Sequence, residues 1–313
     1  MMYQVSPSRA PSSPVAPVEA EEFPALQAIL EQNSSQDYFQ SSMGYYAVTG
    51  RNGLWKAQRG DSLVLFCRHP NNPKIILVFP PVGSKGPELL YMVVQTLFKM
   101  GDEIQLARFE NDSVIKTVSS HFIQMPEQAL DWTFPIRTID TAKVFGLSGN
   151  GLQHVRQKLN HLDKDLLKSE DLNVSNHKRA IEEILNKWAS ADKHGIYYSL
   201  LKFFDYLPLT GRIIFYDNQP AGFSIWEETS ARKKVANAYA NIGLYEMTGL
   251  SHFVIYDMCR KLQEKGFEKL CLGGSETEGL DQFKRKFCPV ENAELFSFYD
   301  KRFMGDTRRA ASA

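Results

Sequence analysis

The chain reads as a mixed α/β (α+β) protein of two domains joined by a helical connector. Three observations carry that reading. Its 313 residues are 43% hydrophobic and 12% aromatic, enough to bury two ordinary cores. Short β-type runs alternate with helix-patterned segments, as expected where helices cover mixed sheets. Strands followed by helix, strand and helix occur twice, on either side of a basic, helix-patterned stretch. The expected division is a disordered lead-in over 1–20, a first domain over 21–147, the connector over 148–190, a second domain over 191–305 and a tail over 306–313.

In the first domain, Phe23, Leu26, Ile29 and Leu30 share one face of a helix over Glu21–Glu31. β-type runs follow at Tyr45–Thr49, Leu54–Arg59, Ser62–Arg68 and Lys74–Phe79, separated by Gly-, Asn- and Pro-rich turns. A helix to Met100, a strand over Glu103–Phe109, a helix from Asp112 to Ile123 and an extended run near Gln128–Phe134 complete it. Gly83-Ser-Lys-Gly86 lacks the full phosphate-loop pattern and reads as a strand-to-helix turn.

Ser148–Lys168 carries Leu152, Val155, Leu159, Leu162 and Leu166 at helical spacing, with His154, Arg156, Lys158, His161 and Lys164 on its other faces. After a polar gap, a second helix spans Lys178–Ser190. An apolar helix over Ile196–Leu207 ends at Pro208. A hairpin (Arg212–Tyr216, Ala221–Glu227), a strand over Lys233–Ala240, a helix over Leu250–Lys265 stopped by Gly266, and a strand over Lys269–Leu272 follow. Ala293–Tyr299 reads as an edge strand.

Composition narrows the function. Lys+Arg and Asp+Glu both number 36, so any nucleic-acid contact must come from a local patch, and DNA binding is not expected. The four cysteines form no C-x-x-C pair, as suits buried thiols in a reducing cytoplasm, and the seven histidines form no ligand cluster, so no metal is expected. Met1–Ala20 lacks the apolar stretch of a signal peptide, and no run approaches the length of a membrane span; a soluble protein is expected.

The most informative stretch is Lys269–Pro289, KLCLGGSETEGLDQFKRKFCP. It reads as a buried strand, a turn at Gly273 and Gly274, and a helix begun by a Ser275/Glu278 capping box. At about 100° per residue, Leu280, Phe283 and Phe287 form the core face, Lys284 sits beside it, Lys286 lies further round and Arg285 points outward. Lys284 is then a cation held in a protein-lined pocket, or a snorkelling lysine of an ordinary amphipathic helix. The glycines admit close backbone approach to a substrate, or simply turn the chain. Glu276 and Glu278 are placed to read a substrate amino group, although acids near a helix N-terminus are favoured in any case. Asn237, Tyr239 and Asn241 share one face of a strand, which an exposed sheet surface also explains.

LGGSETEGLDQFKRKFCP, with glycines closing a strand and then F-K-x-x-F, resembles the C-terminal domain of phosphatidylglycerol lysyltransferases and their soluble relatives, and through them the Fem-type aminoacyl-tRNA-dependent transferases. The resemblance implies two tandem acetyltransferase-like (GNAT-like) domains, with the active site in the second. It implies aminoacyl-tRNA as co-substrate, no separate cofactor, and an amine, hydroxylamine or hydroxyl acceptor on a small metabolite or a lipid head group, reached without a membrane span. It makes Lys284 the catalytic cation; Gly273, Gly274, Ser275, Glu276, Phe283, Asn237, Tyr239 and Asn241 are the candidates around the substrate, and Lys286 orients a phosphate or pairs with a surface carboxylate. SGNGLQHVRQKLNHL resembles the segment before the second domain in that family, which makes Arg156 and Lys158 candidates for contacting the tRNA acceptor end. Acetyl-CoA-dependent relatives carry [RQ]-x-x-G-x-[GA] before the corresponding helix. Here the loop reads GLYEMTGLSHF, retaining only Gly249 and placing acidic Glu246 where a diphosphate would lie. An acyl-CoA- or carrier-protein-dependent N-acyltransferase is the alternative, and a non-catalytic binding module a third reading.

Overall fold

The structure is a computed structural model that describes residues 15–33, 42–70, 72–109, 121–124, 133–188, 195–230 and 234–303. In chain order its elements are β1 (Val15–Pro17), α1 (Phe23–Asn33), α2 (Met43–Thr49), β2 (Leu54–Arg59), β3 (Ser62–Arg68), β4 (Ile75–Val78), α3 (Gly86–Met100), β5 (Glu103–Phe109), β6 (Phe122–Gln124) and β7 (Ile136–Asp140). Next come α4 (Thr141–Phe145), α5 (Gln153–Leu159), β8 (Leu167–Asp171), α6 (Val174–Trp188), α7 (Gly195–Lys202), β9 (Leu209–Tyr216), β10 (Gln219–Ser230) and β11 (Val235–Gly243). The last are α8 (Leu250–Glu264), β12 (Lys269–Cys271), α9 (Glu278–Arg285), β13 (Glu291–Ala293) and β14 (Phe296–Asp300).

Two seven-stranded sheets repeat one plan. The first runs β1-β2-β3-β4-β5-β14-β6 and the second, read from its far edge, β8-β9-β10-β11-β12-β7-β13. Each holds one parallel pair joined by a crossover helix, β4-α3-β5 and β11-α8-β12. The sixth strands are exchanged. β14 leaves the second half to pair with β5 and β6, and β7 leaves the first half to lie between β12 and β13. The division between sheets therefore does not follow the expected boundary near residue 148, and the run expected over Ala293–Tyr299 splits between the two sheets.

Several elements differ from the sequence expectation. Tyr45–Thr49 belongs to helix α2, every residue from Met43 to Val48 being buried. Aromatic and β-branched side chains favour strands only weakly, and a helix enclosed on all sides must be apolar all round. Val15–Pro17, expected in the disordered lead-in, pairs with β2. Most of the helix expected over Asp112–Ile123 and of the run near Gln128–Phe134 lies outside the described residues, but Phe122–Gln124 is strand. The connector is the short α5 followed by edge strand β8, paired with β9. The tail over 306–313 lies outside the described residues.

The second core joins α6 and α8 to β9–β12 through Ile181, Ile184, Phe223, Trp226, Ile255 and Met258. Asp217 and Asn218, with φ of 49° and 59°, close the β9–β10 hairpin by the two-residue turn whose twist matches the strands. Gly249 (φ 95°) meets the carbonyl of Lys158 so closely that any Cβ would collide with it. That contact docks α5 onto the start of α8. Among the described residues no helix is long and apolar enough to cross a membrane.

Candidate active site

The site grows from the end of β12. Pairing between β11 and β12 stops at Asn237 and Cys271, while β11 continues to Gly243, so the two strands part there. Beyond Cys271 the chain stays on β7 for two more hydrogen bonds, Leu272 N to Arg137 O at 2.8 Å and Arg137 N to Gly273 O at 3.2 Å. Gly273 then turns with φ 71°, a conformation that a side chain disfavours. Ser275 is fully buried, with its backbone pinned by Thr133 and Phe134. It is therefore held out of the helix, and the expected Ser275 cap is replaced by Thr277, whose hydroxyl accepts from Leu280 N at 3.3 Å.

Helix α9 turns Asp281 and Lys284 inward. Leu280 and Phe283 are only half-buried, and Phe287, beyond the helix, completes the aromatic stripe against His252. Lys284 is 4% exposed, and its ammonium donates to the carbonyls of Gly273, at 3.2 Å, and Gly274. Burial pushes its pKa down to about 8, against the opposing pull of Glu276 and Asp281. The snorkelling alternative is thereby excluded. Asp281 is fixed by Arg137, with Nε to Oδ1 at 2.8 Å and Nη2 to Oδ2 at 3.1 Å, and by exposed Arg285 at 2.7 Å. Burial alone would raise the Asp281 carboxyl, but the Arg137 guanidinium holds it below the usual range. The helix bearing Lys284 is thus locked to the exchanged strand β7.

Asn237 is buried and Tyr239 and Asn241 are half-buried, so the polar face of β11 is not an exposed sheet surface. The Tyr239 hydroxyl donates to Glu227 Oε2 at 2.7 Å, and Ser42 Oγ contacts both groups. Gly44 of α2 lies so close to Glu227 that a Cβ would strike the carboxylate. Burial pushes Glu227 up to about 7, despite the hydroxyls of Ser42 and Tyr239. Its folded pKa exceeds the ordinary 4.5, so its contribution to stability is fully present below about 4.5 and is lost as pH rises through 7. Glu227→Gln is expected to flatten the fall between pH 4.5 and 7 and to be more stable than wild type above it, by on the order of 3 kcal/mol. Urea unfolding across that range checks this; parallel curves would refute it.

Arg156 and Lys158 stand apart from the glycine turn. The Arg156 guanidinium donates to the carbonyls of Leu147 (2.6 Å) and Gly149 (2.9 Å), so it holds a loop. Lys158 and Lys286 act on His154 and His252 instead. Burial first, then His154 and the two lysines, push His252 down to about 4. Lys286 makes no ion pair among the described residues. Surface hollows of about 240 Å³, at Gln58, Lys85 and Met92, and about 470 Å³, at Asp140, Gln263 and Glu291, are lined by neither Lys284 nor the glycine turn. Among the described residues no group of His, Cys, Asp and Glu could hold a metal ion.

Sequence reasoning missed Ser42, Arg137, Asp281 and Glu227. Glu227 had a signal, an acid closing the apolar run Phe223–Trp226. Arg137 and Asp281 lie 144 residues apart and gave none.

Residues 31–299 match the family model described as phosphatidylglycerol lysyltransferase, C-terminal. The chain belongs to that family. Three solved structures share its fold. The L-PGS from Bacillus licheniformis superposes with a TM-score of 0.66 at 12% identity, over 92% of this chain and 95% of that one. FemX gives 0.58 at 10%, over 91% and 96%. A tandem GNAT protein from the clavulanic acid biosynthesis pathway gives 0.53 at 9%, over 91% and 98%. The repeated sheet plan is thus the tandem GNAT-like fold, and family and fold together support a transferase of the aminoacyl type. No curated protein sequence matches the chain.

Proposed function

We propose that the protein transfers an amino acid from aminoacyl-tRNA to an amine, hydroxylamine or hydroxyl acceptor, a small metabolite or a lipid head group, in the cytoplasm. The observation that carries this reading is the buried Lys284 ammonium at the end of β12, beside the point where β11 and β12 part. Two of its N–H bonds go to the Gly273 and Gly274 carbonyls, which leaves one for a substrate oxygen. The acceptor attacks the ester carbonyl, the oxyanion forms against Lys284, and the 3′-oxygen of the tRNA leaves with the proton that the acceptor gives up. An ester is already activated, so no cofactor is required. Against acyl-CoA stand exposed Glu246, of the wrong sign beside a diphosphate, and the contact of Gly249 with the Lys158 carbonyl, which brings an acceptor oxygen against the start of α8.

The depth of Lys284 favours a second reading, a non-catalytic module whose lysine only braces the turn. Pure protein incubated with a panel of charged tRNAs and candidate acceptors separates the two. RNase-sensitive transfer of labelled amino acid is expected; neither transfer nor tRNA binding across the panel would overturn the tRNA-dependent reading and leave the module or a thioester-dependent enzyme. Calorimetry with acetyl-CoA, expected to show no binding, tests the thioester alternative.

A further inference from the structure

Helix α2 lies between the two halves of the molecule. Met43, Tyr45, Tyr46 and Ala47 belong to the first core and Val48 to the second. A ring of three oxygens fastens the start of the helix to the second sheet. Ser42 Oγ contacts both Glu227 Oε2 and the Tyr239 hydroxyl, and those two lie 2.7 Å apart. Ser42 is the N-cap of α2, yet its side chain makes no capping bond, the role a serine ordinarily fills there. Gly44, where a Cβ would sit 2.4 Å from Glu227 Oε2, lets the helix rest directly on the carboxyl group.

Three oxygens in mutual contact need a hydrogen on each side of the triangle. Serine and tyrosine bring one apiece, so the third must come from the carboxyl group. Once Glu227 ionises, both hydroxyls turn to the carboxylate, and the Ser42–Tyr239 contact is left with lone pairs facing each other. The surroundings do not relieve it. Ser42 and Glu227 are fully buried, Glu227 Oε1 has no hydrogen-bond partner, and no cation pairs with the group among the described residues. Its strand neighbours, Leu209 of β9 and Asn237 of β11, do not titrate. From α2 the Gly44 N–H favours the charged form, while Glu31 of α1 opposes it. We propose that Ser42, Glu227 and Tyr239 form a proton-operated latch, which holds the start of α2 on β10 and β11 while the carboxyl group keeps its proton and lets go when the proton leaves. Burial places the change near pH 7, against an ordinary 4.5 once the group is hydrated. Tyr239 lies beyond Asn237, where β11 and β12 part, so release uncovers β11 beside the crevice. The latch does not rest on the transferase reading.

Amide hydrogen exchange on the full chain tests it, read against Glu227→Gln, whose side chain stays neutral at every pH. Relative to that variant, protection of the wild-type α2 amides is expected to fall about tenfold per pH unit between 4.5 and 7, roughly 300-fold in all, and to level off above 7. Low concentrations of urea should speed α2 exchange less than that of α8, because a local opening exposes less surface than unfolding does. Gly44→Ala, whose methyl group wedges against Oε2, should leave α2 exchanging fast at every pH while circular dichroism shows the fold intact. Where either variant fails to fold, the wild-type carboxyl group itself decides: the infrared band of a protonated acid is expected at about pH 5.5 and should be gone by about pH 9. The same pH profile in wild type and Glu227→Gln overturns the latch, as does a single urea dependence shared by α2 and α8. So would wild-type protection of α2 in Gly44→Ala, or a protonated-acid band already missing at about pH 5.5.

Discussion

Methionine in place of Lys284 is expected to lower transfer about 10²–10³-fold, the usual loss when one oxyanion donor is removed. The variant keeps the unbranched shape and most of the length of the side chain but leaves the Gly273 and Gly274 carbonyls without their donor, at about 1–3 kcal/mol. Rates are therefore compared at a temperature where circular dichroism shows both proteins folded. Stability supplies a second readout with a definite sign. The folded lysine titrates at about 8 against an ordinary 10.5. Below pH 8 the ammonium is charged whether the chain is folded or not, and the native state bears its whole desolvation cost. From about 8 to 10.5 the unfolded chain holds the extra proton, so wild type gains stability on the methionine variant as pH rises, by on the order of 3 kcal/mol. Urea unfolding of both proteins at pH 7 and pH 10 checks this. A gap independent of pH would mean that the lysine is not buried as a cation, and full turnover in the variant would remove it from the chemistry.

Arg137→Ala should damage the fold strongly, because it leaves the Asp281 carboxylate, at 1% exposure, with only the exposed Arg285 as a partner. Removing one member of a buried pair typically costs about 3–5 kcal/mol. The loss falls on the lock between β7 and α9, so the Lys284 helix should loosen before the cores melt. Thermal unfolding combined with hydrogen exchange over α9 measures both effects. Arg137→Met with Asp281→Leu should recover much of the stability, since the pair is then replaced by apolar volume. The carboxyl titrates below its ordinary 3.8, so the stabilisation from this pair is intact above that value and disappears as pH falls through the folded pKa. An Arg137→Ala protein as stable as wild type would show the pair to be ornamental.

Elements with local signals were legible in the sequence. The β9–β10 hairpin announced itself through Asp217-Asn-Gln-Pro220, of which only the first two residues form the turn, α8 through its apolar face and the Gly266 stop, and the strand-glycine-helix order around Lys284 through spacing alone. Long-range facts were not. Met43–Val48 has the composition of a strand, and only enclosure by the first core makes it a helix. Lys284 was placed on the right flank of α9, but its depth is set by two backbone carbonyls turned inward, which leave no mark on side-chain pattern. Ser275 matched a capping box in sequence but lost that role to Thr277, because Thr133 and Phe134, residues some 140 positions away, fix its backbone.

The exchange of sixth strands bears on how the protein is made. Among the described residues β14 alone bridges β5 and β6 in the first sheet, so that sheet stays open until a stretch near residue 300 has left the ribosome. At ordinary elongation rates the nascent chain carries an unfilled slot, bordered by unpaired strand edges, for roughly 10–40 s after β5 is made. Bare edges of this kind pair readily with other chains. The hazard belongs to translation rather than to the finished molecule, and a shielding chaperone would matter most in that interval.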